Sequence, residues 1–346
     1  MKKKLVSVLM SATMAAGLLS GVTAYADEAP EELNVIYLSC STASEFWQYI
    51  GVGISNAVID MEEEYGITIN LQTTGPSEES QTEQYVTAFE SAIAEGPDAI
   101  VTATQVPDAT IPKAQEAVAQ GIVLNFVNCG LVQEDVTDNA DCYNEFYYCS
   151  NETIGALAAE QMLAVLEAKG LEPKGTVAMN YSMVNTNGEQ RMGGFSDYMA
   201  EHAPDIVCTE TYYNNNDLET AQSNVENQIS TFGDDLIGIY SGNNVTSNGA
   251  VLAVQNAGIN DKIAVIGVDS DATQIEALEN GILDALIVQD AYTQGYMAME
   301  NAIRTIMEGE NPETEQQVNC EPQAVTPDNM DDEATQALLN PTLLAK

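Results

Sequence analysis

From residue 34 onward the chain alternates short β-branched apolar runs with longer stretches in which apolar residues recur every three or four positions. The first pattern belongs to buried strands and the second to amphipathic helices. Strands are predicted at 34–38, 67–72, 99–102, 122–127, 176–179, 206–209, 236–240, 263–268 and 285–288. Helices are predicted near 45–64, 78–95, 107–120, 151–169, 188–202, 217–232, 246–257, 271–280 and 291–308. Strand and helix in strict alternation imply parallel sheets covered on both faces by right-handed crossovers, an α/β doubly wound architecture. Glu95-Gly96-Pro97-Asp98 and Gln120-Gly121 fit this reading, because glycine takes the left-handed conformation that ends a helix just before a strand.

Four such units precede residue 130 and about four follow residue 150. The polar segment between them, CGLVQEDVTDNADCYNEFYY, reads as a crossing between lobes plus an insertion. A chain of 346 residues exceeds what one compact core usually holds, so two lobes are expected. No Pro- or Ser-rich stretch separates them, and short hinges are the expected connection.

Lys2, Lys3 and Lys4 precede an apolar run from Leu5 to Leu19 and then Ala24-Tyr25-Ala26, the pattern of a secretory signal cleaved after Ala26. The position after Leu19-Ser20-Gly21 is Val22, not the cysteine that lipid attachment requires, so a non-lipidated exported protein is expected. Without those lysines, seven basic residues face 53 acidic ones, a net charge of −46. Such a field repels nucleic acid and anionic headgroups. Six cysteines are far too sparse for a disulfide scaffold, although Cys142 and Cys149 are close enough in sequence to close a small loop. No C-x-x-C or Cys/His cluster suggests a metal. The single histidine, His202, falls at a predicted helix end, and no nucleophile elbow, zinc-protease, Walker or dinucleotide motif occurs.

In open parallel sheets ligands bind beyond the carboxyl ends of the strands. Here those ends carry Ser44, Thr102, Asn128, Asn243, Asp269 and Gln289, with Phe46 and Trp47 at the start of the first helix. Amides and a carboxylate suit hydroxyl groups, and flat rings suit the apolar faces of a sugar. Each residue also has a structural reading. Asp269 is placed to cap the helix beginning near Ala272, Asn128 and Asn243 to satisfy turn backbone, and Phe46 and Trp47 to join the core. Sequence leaves both readings open for each of them.

The segments SEFWQYIGVGISNAVIDMEEEYGITI, FESAIAEGPDAIVTATQVPDATIPKAQEAVAQGIVLNFVN, SNETIGALAAEQM, NGEQRMGGF, GNNVTSNGAVLAVQNAG and IAVIGVDSDATQIEALENGILDALIVQD resemble, in this order, the sugar-binding type I periplasmic binding proteins of ABC importers. The resemblance runs from about residue 34 to residue 310. It implies a Venus-flytrap fold with hinge strands, a sugar enclosed between the lobes, a membrane permease as partner, a monomeric protein, no cofactor and no catalysis. It divides the chain into an N-terminal lobe of residues 33–149 plus 290–318, a C-terminal lobe of 150–289 plus 319–330, and a tail of 331–346. Carried over position by position, it makes Ser44, Phe46, Trp47, Asn128, Asn243, Asp269 and Gln289 ligand contacts. Cys129 stands where relatives place an arginine, Ala103 where they place an asparagine, and Asn216 where they place a stacking aromatic. The register through Gly194-Phe195 puts Glu189 at the ligand arginine and Arg191 at a second, more structural one, whereas a shifted register makes Arg191 the ligand residue. A ligand-sensing partner of a chemoreceptor or quorum-signal system would use the same capture step, and a secreted glycosidase would need paired carboxylates in the cleft.

Overall fold

The computed structural model describes residues 30–132, 138–309 and 315–346. The export signal expected over residues 1–26 lies outside the described residues. The strands are β1 Glu32–Leu38, β2 Thr68–Thr74, β3 Ala99–Thr102, β4 Val123–Val127, β5 Glu145–Tyr148, β6 Gly175–Tyr181, β7 Ile206–Cys208, β8 Tyr212–Tyr213, β9 Leu236–Ser241, β10 Ala264–Val268, β11 Ala285–Val288, β12 Gln317–Asn319 and β13 Gln323–Val325. The α-helices are α1 Glu45–Tyr65, α2 Thr82–Glu95, α3 Pro107–Ala119, α4 Asn151–Ala168, α5 Thr186–His202, α6 Leu218–Phe232, α7 Asn244–Ala257, α8 Ala272–Glu279, α9 Ala291–Glu308 and α10 Glu333–Leu339. Two sheets result. One has the order β12-β5-β4-β3-β1-β2, the other β13-β11-β10-β9-β6-β7 with β8 beside β6. Every pairing is parallel except that of β11 with β13.

The helices form where the apolar stripe demands them. In α1, Trp47, Ile50, Ile54, Ala57, Val58 and Met61 are buried, a spacing of three or four that turns one face to the sheet. Gly66 ends the helix at φ 66°, its N–H returning to the carbonyl of Glu62. Each large aliphatic side chain buried this way contributes roughly 1.5–3 kcal/mol. The α1–α9 and α4–α5 pairs pack backbone to backbone through glycine. A Cβ on Gly53 would lie 2.1 Å from the carbonyl oxygen of Tyr292, and one on Gly155 would lie 2.1 Å from that of Arg191.

The chain crosses between sheets at residues 149–150, 289–290 and 320–322, so α9 packs on the first sheet although it follows the last parallel strand of the second. The chain then returns. Leu339 is buried in the second lobe's core, where its carbonyl accepts from Ser270 Oγ at 2.9 Å. The turn at Pro341–Leu344 carries the terminus onto α1, where Asn56 Nδ2 donates to the Leu344 carbonyl at 2.8 Å and Lys346 pairs with Asp60.

The segment expected to be a crossing and insertion contains β5, which pairs with β4 and β12 inside the first sheet. Its polar appearance comes from Glu145, buried in mid-sheet with its Oε2 accepting from Tyr147 Oη at 2.6 Å and its backbone N–H donating to Asn125 Oδ1 at 3.0 Å. A carboxylate satisfied in this way sits inside a strand at tolerable cost, but it breaks the apolar run by which such a strand is recognised. All six cysteines are free thiols, so the loop that Cys142 and Cys149 might close is not bridged.

Candidate ligand-binding site

The carboxyl ends of both sheets face a common cavity lined by residues of both lobes. Ser44, Phe46, Trp47, Asn128, Arg191, Asn216, Asn243, Asp269 and Gln289 all line it. Ser44 is the N-cap of α1 and puts the next residues at the cavity wall. Phe46 and Trp47 meet edge to face with centroids 5.2 Å apart, and both also belong to the first lobe's core. Both residues thus belong to the core and to the cavity wall at once. Thr102 is absent from the wall. Its hydroxyl is buried between the Leu38 carbonyl and Tyr85.

Asp269 ends β10 with φ 72°, a left-handed backbone that turns the chain away from the sheet. It does not cap the helix that follows; Asp271 does, accepting from Gln274 N at 2.8 Å. Asp269 is instead held for the cavity. Its Oδ1 accepts from Gln289 Nε2 at 2.7 Å and its Oδ2 from Asn244 N at 3.0 Å. Burial raises its carboxyl above the ordinary range, and the charge of Arg191 together with these two hydrogen bonds opposes the rise. Asn243 lines the cavity and caps α7, accepting from Thr246 N at 3.2 Å, while its Nδ2 donates to Asn216 Oδ1 at 3.0 Å.

Glu189 does not reach the cavity. It borders a surface groove with Glu152 and Asp197, while Arg191 points inward. On α5, which starts at Thr186, residues two apart lie on opposite faces, whereas residues four apart share one. Asn187 and Arg191 accordingly face the cavity together. Of the two candidates, Arg191 is the one on the cavity wall. The Arg191 guanidinium donates through Nε and Nη2 to Asn151 Oδ1, at 3.1 and 2.6 Å, and through Nη1 to the Gly242 carbonyl at 2.6 Å, and it sits 5.8 Å from the centre of the Tyr181 ring. Burial works against its charge, but Tyr181 and Asp269 nearby favour the charged form and its pKa remains raised.

Sequence reasoning missed Glu79, Gln105, Cys129, Tyr181, Ser182, Asn185, Asn187 and Asn244 on the wall. Tyr181 had a readable signal, because β6 runs two residues past its predicted end and Tyr181 is its true last residue. Glu79 falls within the helix predicted near 78–95, but α2 begins only at Thr82, leaving Glu79 in the preceding loop, where it accepts from Trp47 Nε1 at 2.6 Å. Its carboxyl is pushed up to about 7, chiefly by burial. Gln105 and Asn185 bridge the lobes, Asn185 Nδ2 donating to Gln105 Oε1 at 2.9 Å. Asn187 Nδ2 makes a second bridge to Cys129 Sγ at 3.1 Å. Burial raises the Cys129 thiol to about 12, so it stays protonated.

Two parallel-sheet lobes with three crossings, and a polar cavity at their facing strand ends, define a two-lobed binding-protein architecture. The periplasmic binding protein domain matches residues 35–311, and the chain belongs to that family, in its type I form with two α/β lobes. It is 25% identical over 315 residues to the D-ribose/D-allose-binding protein of Pseudomonas aeruginosa, spanning 91% of this chain and 93% of that one. Among solved structures it is similar to an ABC transporter periplasmic solute-binding protein of Actinobacillus succinogenes with bound D-allose. That pair shares 27% identity with a TM-score of 0.74, over 86% of this chain and 98% of the other. It is also similar to an ABC transporter solute-binding protein of Agrobacterium vitis with bound D-fucose, at 25% identity and a TM-score of 0.77, over 89% and 99%.

Proposed function

We propose that the protein is an exported, monomeric capture protein. It encloses a monosaccharide or similar polyhydroxylated molecule between hinged lobes, 33–149 plus 290–318 and 150–289 plus 319–330, and hands it unchanged to the permease of an ABC importer. The observation that carries this reading is the composition of the cavity: amides from both lobes, carboxylates at Asp269 and Glu79, one buried guanidinium at Arg191, and the Phe46 and Trp47 rings. Such acceptors and donors beside aromatic rings suit the hydroxyls and the apolar face of a sugar, and the sugar-binding relatives support the same ligand class. Because the ligand touches both lobes, its binding energy favours the closed state, which is the form a permease would read. On the wall Cys129 is a protonated thiol, and the one histidine, His202, ends α5 stacked on Tyr198.

A thermal-shift screen against aldoses, ketoses and sugar alcohols tests the proposal, since a ligand that binds only the folded protein raises Tm. At ~100 times Kd the stabilisation is ~2.7 kcal/mol. Failure of the whole panel to move Tm would sink the reading.

A further inference from the structure

The charges of the cavity do not balance locally. Its wall carries two carboxylates, Asp269 and Glu79, and one guanidinium, Arg191. Among the described residues neither carboxylate has a lysine or arginine within 4.0 Å. Arg191 spends its donors on Asn151 and the Gly242 carbonyl. Asp269 has both oxygens occupied by Gln289 and Asn244. Glu79 differs, because Trp47 Nε1 engages Oε1 and the other oxygen has no protein partner among the described residues.

The loop that carries Glu79 is pinned. Ser41 Oγ donates to the Ser77 carbonyl at 2.7 Å, Thr42 N donates to the Pro76 carbonyl at 2.9 Å, and Gln81 Oε1 accepts from Ser77 N and Glu78 N at 3.1 and 3.2 Å. A carboxylate on a hydrogen-bonded loop at the cavity wall, with a free oxygen and no lysine or arginine within 4.0 Å, is a preformed site for a cation. The amides around it match hydroxyls, so the cation belongs on a polyol.

We propose that the ligand is a polyol bearing a protonated amine, an amino sugar or aminocyclitol, whose ammonium group donates to Glu79 while its hydroxyls meet Asp269 and the amides. This rests on the reading that the cavity binds a polyhydroxylated molecule, and it narrows the class. The overall charge of −43 points the same way, since it draws cations toward the protein and repels anionic sugars. The groups that act on Glu79 are Asp269 and Glu78, which with burial favour its protonated form, and Arg191, which with the Trp47 hydrogen bond favours ionisation. Cys40, Cys129 and Tyr181 lie within its field and are themselves held protonated by burial. An ammonium group pairs only with ionised Glu79, so affinity for the amine rises with pH through about 7 and binding releases a proton.

Calorimetry on the full mature protein with matched pairs, scyllo-inosamine against scyllo-inositol and D-glucamine against D-sorbitol, tests this. At least one amine is expected to bind about tenfold or more tightly than its hydroxyl counterpart, the gap widening between about pH 6 and pH 8. Glu79→Gln is expected to bring the pair to within about twofold. If that variant does not fold, the pH dependence and proton release of the unmodified protein decide alone. Neutral polyols binding while both amines lag behind them would overturn the proposal and leave the parent reading standing. An amine preference that survives Glu79→Gln, or does not change with pH, would also overturn it. Binding of no polyol, charged or neutral, here and in the wider screen, would remove the parent reading as well.

Discussion

Asn128 and Asp269 occupy equivalent places in the two lobes, and a single side chain joins them. Both follow a central parallel strand, both hold left-handed backbone at φ 58° and 72°, and each N–H continues the ladder to a neighbouring strand, Asn128 to the Tyr147 carbonyl and Asp269 to that of Ile287. Between them stands Gln289, at the second crossing. Asn128 Nδ2 donates to its Oε1 at 2.9 Å, and its Nε2 donates to Asp269 Oδ1 at 2.7 Å. Asparagine and aspartate are the non-glycine residues that best tolerate this backbone, so the same residue types suit the turn and place polar groups on the cavity wall.

The cleanest probe of the anchor is Asp269→Asn. Truncation to alanine would add strain at φ 72°, ~1–2 kcal/mol, and would strip Asn244 N–H of its acceptor. The amide keeps the shape and the left-handed backbone and removes the charge, although its single oxygen can accept from only one of Gln289 Nε2 and Asn244 N. Ligand affinity is expected to fall about 10- to 150-fold, the loss of a charged hydrogen bond worth ~1.5–3 kcal/mol, measured by titration calorimetry. Equal affinity in both proteins would remove Asp269 from the contact set.

Lobe closure offers a second measurement. Gln105→Ala deletes the 2.9 Å bond from Asn185 without disturbing the cap that Asn185 Oδ1 provides to Gly188 N. A hydrogen bond worth ~0.5–1.5 kcal/mol predicts ligand release about 2- to 10-fold faster, with association little changed. Stopped-flow displacement reads this directly. An unaltered release rate would mean that the bridge does not hold the lobes together.

Packing far from the wall should reach Arg191. Gly155→Ala places a methyl group 2.1 Å from the Arg191 carbonyl and 2.6 Å from Phe195 N, so α4 and α5 must separate. Overpacking of this kind costs ~1–3 kcal/mol. A lower Tm accompanied by weaker ligand binding is expected, and a variant with unchanged Tm would contradict the backbone contact.

Glu79 also makes a stability prediction that needs no ligand. The folded protein holds its carboxyl at about 7, against an ordinary 4.5, so the folded state binds this proton more tightly than the unfolded chain does. The resulting stabilisation is complete below about pH 4.5 and is lost as pH rises to about 7 and beyond. Glu79→Gln, whose amide oxygen still accepts from Trp47, removes the dependence. At pH ~7.5 the unliganded variant is expected to melt higher by ~2–4 °C for each kcal/mol recovered. A lower Tm for the variant at that pH would show that ionised Glu79 is not a burden on the fold.

Periodicity made the doubly wound architecture readable, because nine strands and nine helices repeat a pattern that only parallel sheets satisfy. It failed where polarity interrupts it. Glu145 hid β5, and the short strands β8, β12 and β13 lack the length to show a period. The strand-end rule found Asn128, Asn243, Asp269 and Gln289 because topology dictates where such ends point. It could not find Glu79, which reaches the cavity from a loop whose path is set by hydrogen bonds to residues 41–43. Glu189 and Arg191 show the remaining ambiguity: a helix read one step out of register presents the wrong face, and only the start at Thr186 with its Asn185 cap fixes the phase.

The carboxyl terminus has a bearing on how the molecule is handled. Since Leu339 is anchored in one half and Lys346 is seated on α1 of the other, the polypeptide closes a ring around the pivot. Opening must either keep that ring intact, which confines the swing to rotations about the axis it flanks, or peel the last seven residues from Asn56 and Asp60. A dye attached beyond Lys346 would thus report the angle between the halves, and a bulky purification tag at the same place would alter it.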